Sequence, residues 1–157
     1  MKNILATMML IGCITPVLAN TEVDIADKFY FGAGIAGNDL RGDDATGFQF
    51  FAGYPLQAKL GKGDLAIEAG YMDSGSFERR GNFGSVSTTG LWGTLVGRWN
   101  VATKTDLVVR AGLDVGDDDG MMFGVGLGYA LSKKLELRGE YVKRDNIDSL
   151  QFNFVFR

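Results

Sequence analysis

"FYFGAGIAGND", Phe29 to Asp39, holds Gly32, Gly34 and Gly37 in the spacing G-x-G-x-x-G. In a dinucleotide-binding fold that spacing marks a strand turning into a helix, whose N-terminal amides meet a pyrophosphate. The residues that follow, Asn38-Asp39-Leu40-Arg41-Gly42-Asp43-Asp44-Ala45-Thr46-Gly47, bring no apolar side chain back every three or four positions, so no helix is signalled. With a period of two, the stretch puts Phe29, Phe31, Ala33 and Ile35 on one face and Tyr30, Gly32, Gly34 and Ala36 on the other. It reads as a strand with one apolar face and one nearly bare face. In a chain with 23 glycines the motif alone carries little weight.

Seven further segments repeat the theme, separated by clusters of turn-forming residues. Their apolar faces are Phe48/Phe50/Ala52/Tyr54, Leu65/Ile67/Ala69/Tyr71, Leu91/Gly93/Leu95/Gly97/Trp99 and Leu107/Val109/Ala111/Leu113/Val115, then Phe123/Val125/Leu127/Tyr129/Leu131, Leu135/Leu137/Gly139/Tyr141 and Leu150/Phe152/Phe154/Phe156. The opposite faces carry Gln49, Glu68, Thr94, Arg98, Arg110, Asp114, Glu136, Arg138, Glu140, Gln151, Asn153 and Arg157, interspersed with glycines. Glycine is costly in an exposed strand, but it suits the crowded interior of a narrow barrel. The charged, glycine-rich face therefore points inward and the apolar face outward, which only lipid tolerates. The predicted fold is all-β: an eight-stranded antiparallel up-and-down transmembrane β-barrel.

The N-terminus fits that destination. Met1-Lys2-Asn3, an apolar run from Ile4 to Ile14 and the small-residue pattern Val17-Leu18-Ala19 describe a cleavable secretory signal over residues 1–19. Residues 20–157 then form the outer-membrane β-barrel domain. A lipobox at Leu10-Ile11-Gly12-Cys13 is the rival reading; the apolar run continuing from Ile14 to Leu18 favours the ordinary signal. The net charge of −3 with scattered basic residues offers no footprint for nucleic acid.

The connections after the even strands, Pro55 to Gly63, Asn100 to Thr105 and Ser132 to Lys134, are on average shorter than those after the odd strands, Asn38 to Thr46, Asp73 to Thr89, Asp117 to Gly120 and Lys143 to Asp148. With a periplasmic N-terminus the longer set lies outside the cell. Strand-end aromatics fall into two rows: an inner girdle of Phe29, Tyr54, Trp99, Tyr129 and Phe156, and an outer one of Phe48, Tyr71, Phe123 and Tyr141. Inside, Glu68, Asp114, Glu136 and Glu140 supply four negative charges against four positive ones from Arg98, Arg110, Arg138 and Arg157. They can pair and plug the lumen, which leaves a narrow porin-like channel as the alternative.

Barrel enzymes that cut lipids or peptides rely on histidine as a general base, and this chain has none. Ser85 and Ser87 stand in a Gly/Ser/Thr-rich stretch with no evident base, so no catalytic residues are assigned. Asp117-Asp118-Asp119-Gly120 lacks the alternating ligands and distal glutamate of a calcium loop. It reads as a solvated turn, and no metal or cofactor is expected. Arg79-Arg80 and Lys133-Lys134 read as polar loop ends, the former a weak candidate for lipopolysaccharide phosphate.

"GVGLGYALSKKLELRGEYVKRDNID", Gly124 to Asp148, followed by "LQFNFVFR", resembles the transmembrane domain of the OmpA/OmpX family of bacterial outer-membrane proteins, as do "AIEAGYMDSG", Ala66 to Gly75, and "LWGTLVGRWNV", Leu91 to Val101. The resemblance implies insertion by the outer-membrane assembly machinery. It also implies contact with outer-membrane lipid and lipopolysaccharide, and a membrane-structural role or a surface role in which short loops meet a host or surface ligand. Arg138 and Glu140, on a matching "R-x-E-Y" strand, would belong to an interior ion network. No peptidoglycan-binding domain follows strand eight, and the chain ends Phe156-Arg157 where such strands usually end on the aromatic itself.

Overall fold

A computed structural model describes residues 28–40, 43–78, 85–116, 119–145 and 147–157. Residues 1–27, with the expected signal, Cys13 and Asn20, and the Arg79-Arg80 and Asp117-Asp118 pairs lie outside the described residues. Eight strands follow in order: β1 (Tyr30–Leu40), β2 (Asp43–Leu60), β3 (Gly63–Glu78), β4 (Ser85–Ala102), β5 (Thr105–Gly116), β6 (Gly120–Ala130), β7 (Leu135–Lys143) and β8 (Asp148–Phe156). Each pairs antiparallel with its sequence neighbour, and β1 closes on β8 through pairs from Phe31↔Phe156 to Asp39↔Asp148. Closure removes every sheet edge, so the strands satisfy one another's backbone groups without water.

The side-chain alternation is inverted relative to a soluble barrel. Outward stand Phe31, Ile35, Leu91, Leu113, Val125 and Phe152, all exposed. Inward, Gln49, Glu68, Arg110, Arg138, Glu140 and Asn153 are buried. An apolar exterior continuing around all eight strands has lipid as its solvent. On that exterior, a groove of about 730 Å³ runs over Ala52 and Ala69 between Phe31, Phe50, Tyr71 and Leu91.

The opening glycines make room. Gly32 is directly opposite Phe51, and Gly53 is directly opposite Tyr30. A Cβ on either glycine would run into the facing aromatic ring. Across the barrel, Gly124 faces Arg110 and Gly126 faces Glu140 in the same way. A large inward side chain on one strand is thus met by a glycine on the next, which is how a narrow lumen holds aromatic rings and guanidinium groups together.

The strands are longer than the alternation alone predicts. β2 and β4 reach 18 residues and β3 reaches 16. Pro55 to Gly63 is mostly strand: β2 bulges between Pro55 and Lys59, then pairs through Leu60↔Gly63 around a two-residue turn at Gly61-Lys62. Asn38 to Thr46, Asp73 to Thr89 and Asn100 to Thr105 likewise shrink as the ladders extend through them. Backbone pairing continues past the apolar residues because hairpins leaving the membrane still satisfy each other's amide groups. The difference between the two ends reduces to one longer connection, residues 79–84.

Val125 sits outward at the centre of β6. Val125→Arg should lower stability by roughly 2–4 kcal/mol, as an arginine facing mid-bilayer does. Urea unfolding of the protein in lipid vesicles measures it.

Candidate functional site

Arginine is among the residues least often found fully buried, yet Arg110, Arg138 and Arg144 are the three largest side chains with under 2% of their surface exposed. β5 delivers Arg110, and β7 delivers Glu136, Arg138 and Glu140 on alternate residues of one face. From the opposite wall, β3 delivers Glu68. Its Oε1 accepts from Arg138 Nη1 at 2.7 Å and from the Tyr30 hydroxyl at 2.8 Å, while Oε2 lies 3.1 Å from Arg110 Nη2. Arg110 donates through Nε and Nη2 to both oxygens of Glu140, at 2.9 and 2.6 Å, a bidentate pair. Arg138 Nε donates to Glu136 at 3.1 Å.

Toward the end holding the termini the network widens. Arg98 donates to Glu136 at 2.6 Å and to Asp106 at 2.8 Å, and half-exposed Arg157 donates to Glu136 at 2.8 Å. Three guanidinium groups also lie over inward aromatic rings: Arg110 on Trp92, Arg138 on Phe51 and Arg157 on Tyr30, at 5.2 to 5.6 Å. The β1–β4 wall thus offers ring faces and one carboxylate to cations on the opposite side.

Toward the other end lies a neutral layer, then a second ionic one. Gln49 donates to Gln151 and Asn153 at 2.7 and 2.8 Å. Beyond it, Asp114 accepts from Arg144 at 2.6 Å, Arg144 donates to Ser149 at 2.9 Å, and Ser149 donates to Asn38. Ile147, from the same tight turn as Arg144, is buried with Ala45. At the far rim Lys143 donates to Asp148 at 3.0 Å.

The structure therefore brings Glu68, Arg98, Arg110, Glu136, Arg138, Glu140 and Arg157 into one network and puts Asp114 in the outer layer with Arg144. Arg144 and Asp106 were not among the expected charges. Asp106 precedes the first apolar residue of its strand and Arg144 follows the last of its own, yet each continues its strand's inward parity: 136, 138, 140, 142, 144 on one strand and 106, 108, 110 on the other. Counted with them, five carboxylates (Glu68, Asp106, Asp114, Glu136, Glu140) face five guanidinium groups (Arg98, Arg110, Arg138, Arg144, Arg157).

The aromatic residues expected at the two girdles are found on the outward face. Phe48, Phe123, Tyr129, Tyr141 and Phe156 are exposed, Tyr54, Tyr71 and Trp99 are half-buried, and Phe29 lies just outside β1. Phe29 packs on Tyr54 at 5.2 Å between ring centres, and Tyr71 packs on Phe48 at 6.4 Å and Phe50 at 5.4 Å. Trp99 folds over Gly63 and Gly97 and donates to the Leu60 carbonyl at 3.3 Å. Among the described residues, no cluster of three or more His, Cys, Asp or Glu is arranged to hold a metal ion.

Residues 5–155 match the family described as the outer membrane protein beta-barrel domain. The chain belongs to that family. Among solved structures, the Yersinia pestis outer-membrane protein Ail in a phospholipid bilayer nanodisc shares the outer-membrane barrel fold with a TM-score of 0.58 at 13% identity, over 82% of this chain and 97% of Ail. Neisserial surface protein A gives 0.50 at 15% identity, over 82% and 96%. A de novo designed transmembrane β-barrel gives 0.54 at 17% identity, over 82% and 94%. At such identities the likeness shows the fold alone. No curated protein matches the chain.

Arg138 is shared by Glu68 and Glu136, with Glu140 4.0 Å away. Arg138→Ala should therefore cost roughly 3–5 kcal/mol, the usual result of leaving a buried charge without its partner. Glu68→Gln in the same chain should recover part of that loss, a double-mutant cycle read by urea unfolding in vesicles.

Proposed function

We propose that this outer-membrane barrel is a closed-lumen protein with a membrane-structural or surface-interaction role, and that it is neither an enzyme nor a diffusion pore. The observation that carries the reading is the charged cross-section: Glu68, Arg110, Arg138 and Glu140 have fully buried side chains and bind one another across the lumen. A water-filled path would have to break these pairs, and wide aqueous lumens belong to barrels of many more strands. The missing histidine weighs against hydrolytic chemistry of the base-assisted kind.

In this reading residues 1–19 direct export, residues 20–157 are inserted by the outer-membrane assembly machinery, and both barrel ends of the chain face the periplasm. The inner and outer aromatic rows sit at the two bilayer interfaces, and the far rim meets lipopolysaccharide or a surface ligand. Ail, one of the proteins sharing the fold, is known in complex with the heparin analogue sucrose octasulfate, which supports a surface role for barrels of this size. Among the described residues, the exposed acidic side chains at the far rim, Asp39, Asp44, Asp119 and Asp145, outnumber Lys143 and suit a cationic or neutral partner better than a sulfated polymer.

Reconstituted in planar bilayers, the wild-type protein should show no steady conductance, and Arg138→Ala should open brief channels by drawing water to the unpaired carboxylates. Large, stable wild-type currents would establish the channel alternative instead.

A further inference from the structure

The charges outside the lumen are sorted by end. At the rim holding the termini stand Lys28, Lys59, Lys62, Lys104, Lys133 and Lys134 against Asp64 alone, a surplus of five positive charges among the described residues. At the far rim, among the residues whose side chains are described, stand Asp39, Asp44, Asp73, Asp119, Asp145 and Asp148 against Lys143, a surplus of five negative ones. Neither surplus belongs to the ion network, whose own charges balance.

We propose that the basic rim is a docking ring for the phosphate headgroups of anionic phospholipids. The lysines come from several separate places: the start of the barrel, the β2–β3 turn, the β4–β5 turn and the β6–β7 turn. A protein partner would meet one patch of such a ring, whereas lipid headgroups surround all of it. The turns are short, so the ammonium groups stay beside the aromatic row of Tyr54, Trp99, Tyr129 and Phe156. The hydrogen bond from Trp99 to the Leu60 carbonyl ties the β2–β3 hairpin to that row. Aromatic side chains of this kind mark headgroup depth, and cations there attract anionic lipid.

The second sign is the absence of carboxylate partners for most of these lysines. Lys104 stands in the two-residue β4–β5 turn with φ 63°. Among the described residues no carboxylate pairs with Lys62, Lys104, Lys133 or Lys134, while Lys59 has Asp64 at 3.2 Å. This inference does not depend on whether the lumen conducts.

The test places the protein in vesicles of phosphatidylcholine mixed with phosphatidylglycerol and measures which spin-labelled lipid occupies the shell around the barrel. Phosphatidylglycerol should be enriched several-fold around wild type, each lysine near the surface being worth up to roughly fivefold in partition. Raising the salt should abolish the enrichment. The variant carrying Lys62→Gln, Lys104→Asn, Lys133→Gln and Lys134→Gln should lose it, while Asp39→Asn with Asp44→Asn should keep it. Should the quadruple variant fail to fold, the salt titration of wild type still decides. Inorganic phosphate, compared with chloride at matched ionic strength, should not release the lipid. Equal occupancy by the two lipids, enrichment that survives salt or the lysine substitutions, or displacement by phosphate alone would overturn the proposal.

Discussion

A lumen bounded by eight strands has room for side chains and little else, so any charge placed in it must be answered by another charge. That requirement organises the molecule. Glu68 on β3 is met by Arg110 on β5 and Arg138 on β7, and Glu136 serves Arg98, Arg138 and Arg157 together. Glu68 and Arg138 reach across the lumen from strands seventy positions apart in sequence, as Arg98 and Glu136 do from β4 and β7, while Glu136 also holds Arg138 on its own strand. The pairs therefore fix the cross-section as well as neutralise it: a strand slipped by one residue would bring its charges to the lipid face.

Glycine is the complement of that crowding. Without Gly124 and Gly126 the stems of Arg110 and Glu140 would collide with the next strand, and without Gly32 and Gly53 the rings of Phe51 and Tyr30 would do so. Those rings in turn underlie the cations, with Arg138 over Phe51 and Arg157 over Tyr30. Small residues, rings and ions are thus one packing solution. The G-x-G-x-x-G of the first strand belongs to it: Gly32 and Gly34 face inward, while Gly37 faces outward with only the Leu150 carbonyl, 4.0 Å from where its Cβ would be.

Strand number, the direction each face points and the identity of most lumen charges were legible in the sequence, because period-two alternation is a local signal and the inverted polarity leaves one solvent that fits. The strand ends were not. Pro55 and the broken alternation after it look like a loop, yet the bulge between Pro55 and Lys59 lets β2 continue to Leu60. Arg144 and Ile147 were lost for the same reason: they follow the last apolar residue of β7, and turn-like composition concealed that their side chains fold back into the mouth of the barrel. Which cation meets which carboxylate depends on register around the closed sheet, a property of all eight strands that no single segment encodes.

Arg110 and Arg138 are bound to carboxylates across a closed lumen. The most direct measurement of these pairs is solid-state NMR on protein labelled at arginine and glutamate in lipid bilayers, recording through-space transfer from guanidinium nitrogen to carboxyl carbon. Strong transfer is expected from Arg138 to Glu68 and from Arg110 to Glu140, undiminished by a paramagnetic reagent dissolved in the water. Guanidinium signals that show no carboxylate partner, or that the water-borne reagent quenches, would contradict it.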